Sequence, residues 1–203
     1  MLVVGLTGPM GAGKTHVLQL LASRGAENLR ADDASRELLR DGSCLLPLVM
    51  SLLGDGVFRP DGSLDRRATA ALIFADEPAR RELEGLLHPR MVAWLRTHLA
   101  QIANRIGPPR VAVLEAAVLT HMGARSLCDR VVRVWAPRDV CLKRICARDG
   151  ITLPEAEARM SIHDALGLFD ETADRVIDTS GSPADTHHSV ASLWDWLSSQ
   201  SAL

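Results

Sequence analysis

The stretch "GPMGAGKT", residues 8–15, follows directly on the apolar run "MLVVGLT" and leads directly into "HVLQLLASRG". It has the spacing G-x-x-x-x-G-K-[ST], and its flanks are a short apolar strand pattern before and a helical pattern after. In that setting glycines let the backbone wrap closely around phosphate oxygens with its N–H groups turned inward, and the helix start adds positive partial charge. Gly8, Gly11, Ala12 and Gly13 are therefore the expected cradle for a nucleotide phosphate, with Lys14 on the β/γ oxygens and the Thr15 hydroxyl on Mg²⁺. A chance glycine turn is the competing reading, and both flanks weigh against it.

Working outward, Val17, Leu18, Leu20 and Leu21 give the following helix an apolar face, and Gly25 is placed to end it. Further strand patterns fall at residues 29–31, 111–114, 131–136 and 176–177, in addition to 2–6, and helical patterns lie between them. Strands alternating with helices predict a parallel sheet covered on both faces, with the glycine loop at the C-terminal edge where such sheets bind ligands. Residues 33–109 form a long, mostly helical crossover, predicted to break near Pro78 and Pro89. A second helical pair, "PRDVCLKRICARDG" and "TLPEAEARMSIHDALG", carries a capping-box signal at Thr152 and Glu155. It reads either as a moving lid or as static packing.

At 203 residues and 47% apolar content the chain can bury one ordinary core. A net charge of −2 excludes the global basic field of a nucleic-acid binder, so phosphate recognition must be local. No apolar run approaches the roughly 20 residues that span a bilayer, and no secretory signal pattern precedes the loop. The expected location is cytoplasmic, with no membrane partner, as a monomer or weak oligomer. Cys44, Cys128, Cys141 and Cys146 lack metal-site spacing and read as reduced apolar residues; His187 and His188 read as surface.

Three further groups bear on chemistry. Asp32, in "NLRADDASREL", is expected at the end of the second strand, where a carboxylate can orient an acceptor hydroxyl and take its proton. Its alternative is helix capping by Asp32 or Asp33. Glu115 ends the strand "VAVLE" and either holds magnesium through water or simply meets solvent. Arg144 and Arg148, spaced i, i+4, share a helix face and either close over a triphosphate or pair with neighbouring acids.

The segments "GLTGPMGAGKT", "RADDASREL", "GSLDRRA", "LLHPRM", "VLEAAVL", "CLKRICARDG" and "ADRVIDTSG" occur in the order and spacing of dephospho-CoA kinases, a resemblance that covers about residues 3–181. The resemblance implies a P-loop kinase of the nucleoside-monophosphate-kinase type. Its fold would be three-layer α/β/α, with a five-stranded parallel sheet, a helical substrate-binding insert and a helical lid. As one domain, the core would be about residues 1–32, 110–136 and 173–203, the CoA-binding insert about 33–109 and the lid about 137–172. The implied reaction moves the ATP γ-phosphate to the ribose 3′-hydroxyl of dephospho-CoA.

By the same resemblance Asp32 and Arg66 lie on the acceptor side with His88 and Pro89, and Glu115 serves substrate or metal. Arg144 lies near the nucleotide with Arg148, while Thr179, Ser180 and Gly181 fall where the last loop approaches the adenine. The chain departs from the pattern at Arg30, where an Asp is usual, and at Glu115, Ala117 and His121 after the third strand. His163 replaces a customary Gln, and Leu168, Phe169 and Asp170 replace basic residues. Those departures leave two further readings: a nucleotide binder without transfer activity, and a kinase for another small acceptor.

Overall fold

The structure, a computed structural model, describes residues 1–105, 107, 110–165, 167 and 172–200, with His163 described by its backbone alone. The departures at Leu168, Phe169 and Asp170, and the His163 side chain, lie outside the described residues. The chain divides into two compact units, Met1–Arg30 with Arg96–Leu203, and Ala31–Leu95.

The first unit is built on a parallel sheet of β1 (Leu2–Thr7), β2 (Glu27–Arg30), β3 (Val111–Glu115), β4 (Arg130–Trp135) and β5 (Arg175–Asp178), in the spatial order β2-β3-β1-β4-β5. Side chains alternate across such a sheet. Val4, Leu6, Val111, Val113, Val132 and Val134 share one core with Val17, Leu18 and Leu21 of helix α1 (Lys14–Ala22). That core also takes in Cys141, Leu142 and Ile145 of α6 (Arg138–Asp149), Met160 of α7 (Leu153–Ala165) and Val190, Leu193 and Leu197 of α8 (Pro183–Gln200). On the other face Gly5 leaves the room that Leu119 and Cys128 occupy. The observed strands contain the expected runs except at two boundaries: β2 ends at Arg30, with Ala31 already in a helix, and β4 ends at Trp135, one residue short of the expected Ala136.

The edge strand β5 is mostly exposed, which suits its charged residues. The Arg175 guanidinium covers the Trp196 ring of α8 at 4.7 Å, so the edge is held by a cation–π contact. The Thr152–Glu155 signal is realised: Glu155 accepts from the Thr152 N–H at 2.8 Å and from its hydroxyl at 2.7 Å. A reciprocal box opens α8, where Asp185 accepts from the Ser182 N–H at 2.9 Å and its own N–H donates to the Ser182 hydroxyl at 3.2 Å.

The second unit contains α2 (Ala31–Leu38), α3 (Leu46–Leu53), α4 (Arg66–Ala75) and most of α5 (Glu77–Ala103). Asp65 caps α4 by accepting from the Arg67 and Ala68 N–H groups at 2.9 and 3.0 Å. The break near Pro78 is present, since α4 stops at Ala75 and α5 restarts at Glu77 with proline in its first turn. The break at Pro89 is absent: α5 runs through it. Proline removes the bond to the carbonyl of Gly85, and both residues are exposed, so water can satisfy that carbonyl and the long helix persists.

Two of the cysteines, Cys128 and Cys141, are buried as apolar residues should be, whereas Cys44 is exposed. Among the described residues no helix is long and apolar enough to cross a membrane.

Candidate active site

β1 ends at Thr7 and the chain turns through Gly8, Gly11 and Gly13 into α1. Gly8 has φ 135° and Gly11 φ 80°, conformations that L side chains rarely adopt. A Cβ on Gly8 would fall on the carbonyl oxygen of Val134, and one on Gly11 would lie 2.5 Å from that of Cys141. The loop is thus threaded against β4 and α6, and only glycine fits at either place. No acidic side chain sits in the first turn of α1 and no side chain caps it, so the positive end of that helix stays available to an anion.

Lys14 folds back over the loop, its ammonium donating to the carbonyls of Gly8 at 2.7 Å and Pro9 at 3.0 Å. Thr15, next in the turn, is exposed. Arg144 reaches the loop from α6. Its Nη1 donates to the Thr179 hydroxyl at 3.0 Å and, at the long end, to the Gly11 carbonyl at 3.4 Å, while Nη2 donates to the Thr179 carbonyl at 2.6 Å. Thr179, directly after β5, is buried and donates its hydroxyl to the Ala12 carbonyl at 2.7 Å.

Beside this contact lies a cavity of about 270 Å³ lined by Gly13, His16, Arg144, Thr179, Gly181 and Thr186, among others. His16 and His187 face each other across α1 and α8 with ring centroids 5.6 Å apart. Of the residues read from sequence, Gly13, Arg144 and Gly181 meet here, and Ser180 stands beside them, exposed, its N–H donating to Asp178 at 2.7 Å.

Arg148 does not join Arg144. It forms a two-point pair with Asp149, at 2.6 and 3.0 Å, and Asp149 also meets Arg159 of α7 at 3.3 Å. The hydrogen bond from Arg148, reinforced by the charges of Arg148 and Arg159, holds the Asp149 carboxyl below the usual carboxylate range. Its placement follows the acid-pairing alternative. Although i, i+4 residues share a face, Arg144 sits one turn closer to the glycine loop.

Glu115 does not merely meet solvent. It is buried at 8% exposure, and its Oε2 accepts from the Nε of Arg30 at 2.9 Å. Strand register explains the meeting, since Arg30 is the direct partner of Glu115 across β2 and β3. Two departures from the family pattern are thus each other's partners in this chain.

The remaining candidates belong to the second unit. Asp32 is neither at a strand end nor a helix cap; it lies exposed in the first turn of α2, where acids favour the helix dipole. The reason is local: Ala31 and Ala34, three apart, are both buried and draw the chain into helix immediately after β2. Arg66 opens α4 and donates weakly, at 3.4 Å, to the Arg36 carbonyl of α2. His88 is half-buried and Pro89 exposed on α5.

Sequence reasoning missed His16, and it placed Thr179 only by resemblance, in the last loop near the adenine, without its contact to Arg144. Thr179 stood inside a quoted segment, yet its partners Ala12 and Arg144 are 167 and 35 residues away, so no spacing pattern marks it. His16 follows the motif directly, and its position in the first turn of α1 was the available signal.

The chain is similar to known proteins along nearly its whole length. The family profile described as Dephospho-CoA kinase matches residues 2–185. A dephospho-CoA kinase of Anaeromyxobacter dehalogenans is 38% identical over 183 residues, which is 90% of this chain and 86% of that one. The crystal structure of TT1252 from Thermus thermophilus is 27% identical with a TM-score of 0.77, covering 97% of each chain. A dephospho-CoA kinase structure from Campylobacter jejuni, 21% identical with a TM-score of 0.67 over 98% of each chain, shares the fold. The chain belongs to the dephospho-CoA kinase family of ATP-dependent phosphotransferases.

Proposed function

We propose that this chain transfers the γ-phosphoryl group of Mg²⁺-bound ATP to the ribose 3′-hydroxyl of dephospho-CoA, and that it does so in the cytoplasm as a monomer or weak oligomer. The observation that carries the reading is the glycine loop: a cradle that a Cβ would fill, opening on a helix start without acid and holding Lys14 at its mouth. Transfer of a loosely bonded phosphoryl group needs positioning and charge neutralisation more than covalent chemistry.

In this reading Gly8, Gly11, Ala12 and Gly13 wrap the phosphates, Lys14 moves from the loop carbonyls onto the β/γ oxygens, and Arg144 faces the same anion. Arg148 steadies Asp149 between α6 and α7 and closes with the lid. Ser180 and Gly181 meet the adenine beside the cavity. The second unit supplies the acceptor side: Asp32 takes the proton of the attacking hydroxyl, and Arg66, His88 and Pro89 hold the acceptor. The core is about residues 1–32, 110–136 and 173–203, the insert about 33–109, and the lid about 137–172.

The magnesium donors fit the ion. Thr15 offers an exposed hydroxyl and Glu115 its Oε1, both hard oxygens, with Oε2 taken by Arg30. When bound, the ion would neutralise charge that develops on the phosphoryl group during transfer.

The test is Lys14→Ala and Asp32→Asn in parallel, with ATP binding, melting temperature and transfer to dephospho-CoA all measured. Loss of about 10²–10³-fold in kcat for Lys14→Ala and about 10²–10⁴-fold for Asp32→Asn, in folded protein, is expected. Near-wild-type transfer by both variants would remove the role assignments. Wild-type protein that binds ATP and transfers to no acceptor would favour a binding function instead.

A further inference from the structure

The Thr179 hydroxyl touches the glycine loop, the end of β4 and the lid-side arginine together. It donates to the Ala12 carbonyl at 2.7 Å and accepts from Arg144 Nη1 at 3.0 Å, with the Trp135 carbonyl farther off at 3.3 Å. A hydroxyl has one proton and two lone pairs. The short bond to Ala12 takes the proton, so the oxygen presents lone pairs to Arg144, and the group is satisfied in a site only 4% exposed. The Thr179 carbonyl takes Arg144 Nη2 at 2.6 Å, which makes the grip two-pointed. A Cβ on Gly13 would come within 3.3 Å of the same hydroxyl, so the loop and Thr179 are packed to contact.

Arginine has five N–H donors in a rigid fork. Thr179 and Gly11 occupy both hydrogens of Nη1 and one of Nη2. The Nε–H and the second Nη2–H have no partner among the described residues, and Arg144 lines the cavity beside the loop. The guanidinium is therefore held by one side while its other donors stay available to an anion. Because a 1 Å misplacement of a charged group sharply weakens transition-state stabilisation, what holds the fork matters as much as the fork.

We infer that Thr179 is a positioning residue for phosphoryl transfer: its hydroxyl fixes Arg144 against the glycine loop so that the remaining guanidinium donors meet the nucleotide phosphates. This rests on the proposed kinase reading for its catalytic consequence, while its effect on ATP affinity does not need the acceptor at all. The position of Thr179 also links nucleotide occupancy of the loop to α6 through one buried hydroxyl.

The experiment is a double-mutant cycle on Thr179→Val and Arg144→Met, with Thr179→Ser as the conservative variant. Each is measured for ATP affinity by calorimetry, for kcat and KM with dephospho-CoA, and for melting temperature. Thr179→Val is nearly isosteric and removes only the hydroxyl. Loss of a hydrogen bond to a charged group predicts a fall of about 10-fold or more in ATP affinity and in kcat/KM for ATP, with recovery in Thr179→Ser. In the Arg144→Met background the same Val substitution should cost little further, because its target is gone.

Equal losses in both backgrounds, or a Ser variant as damaged as Val, would overturn the inference. If Thr179→Val does not fold, Arg144→Lys takes its place: an ammonium keeps the charge and cannot grip both Thr179 oxygens in a planar fork, so a similar loss is expected and wild-type behaviour overturns the idea. Wild-type protein without transfer would count against the kinase reading alone, since the affinity arm of the cycle still decides the role of Thr179.

Discussion

Replacing Gly11 by Ala tests the loop where its geometry is most demanding. Gly11 has φ 80°, and placing an L residue there costs about 1–2 kcal/mol. The new Cβ would also lie 2.5 Å from the Cys141 carbonyl oxygen and 3.0 Å from its carbonyl carbon and Cα. Those are backbone atoms of α6, which is anchored by Cys141, Leu142 and Ile145 in the core and cannot swing aside as a side chain tip would. Overpacking of this kind costs about 1–3 kcal/mol, so the total is about 2–5 kcal/mol. For a chain of this size each kcal/mol lowers the melting temperature by about 2–4 °C, giving a fall of about 4–20 °C.

Gly123→Ala is the matched control. Gly123 has φ 82° but nothing within 4 Å of its Cβ position, so it carries the backbone cost without the crowding. Melting curves and ATP titrations on both variants separate the two effects. Gly11→Ala should melt clearly below Gly123→Ala and bind ATP more weakly, because α6 also carries Arg144. Equal melting temperatures with unchanged ATP affinity would refute the close packing of loop and helix as the reason for this glycine.

Arg30→Met should leave the Glu115 carboxylate, 10% exposed in its side chain, without its partner and destabilise by about 1–3 kcal/mol in urea unfolding at constant m; Glu115→Gln, which retains an acceptor for Arg30, should lose less, and the reverse order would count against the pair. A thiol reagent should modify exposed Cys44 in the folded protein. Cys128, whose thiol burial pushes up to about 12, and Cys141, raised for the same cause, should react only on unfolding; fast labelling of Cys128 in a Cys44→Ser variant would contradict that. Asp149 is held below its ordinary value of 3.8 by Arg148, so its contribution is present above that value and lost as pH falls through the lower folded value. Wild type should therefore lose melting temperature below pH 3.8 slightly more steeply than Asp149→Asn, the effect being small for so exposed a pair, and identical acid limbs would remove it.

The parts of this protein that were legible in the sequence are those whose causes are local. The glycine loop, its flanking strand and helix, and the Thr152–Glu155 cap each depend on residues within a few positions of one another. The Pro89 reading failed because a proline's cost depends on whether water can reach the freed carbonyl, and exposure is a tertiary fact. Asp32 falls inside a helix because buried Ala31 and Ala34 start α2 at the residue where the strand pattern was expected to end. Arg30 looked like an isolated departure until the β2–β3 register put it opposite Glu115, 85 residues on. Arg144 and Arg148 share a face in sequence, yet only the packing of α6 decides which one reaches the glycine loop and which one meets Asp149.

The central claim is that phosphate held by residues 8–15 goes to the ribose hydroxyl of dephospho-CoA. Purified protein given Mg²⁺-ATP, with and without dephospho-CoA, should release ADP faster with the acceptor present, and the acceptor should gain the mass of one phosphoryl group, placed on the 3′-oxygen by phosphorus NMR. ATP binding with neither acceptor-stimulated ADP release nor a mass gain on dephospho-CoA would contradict it.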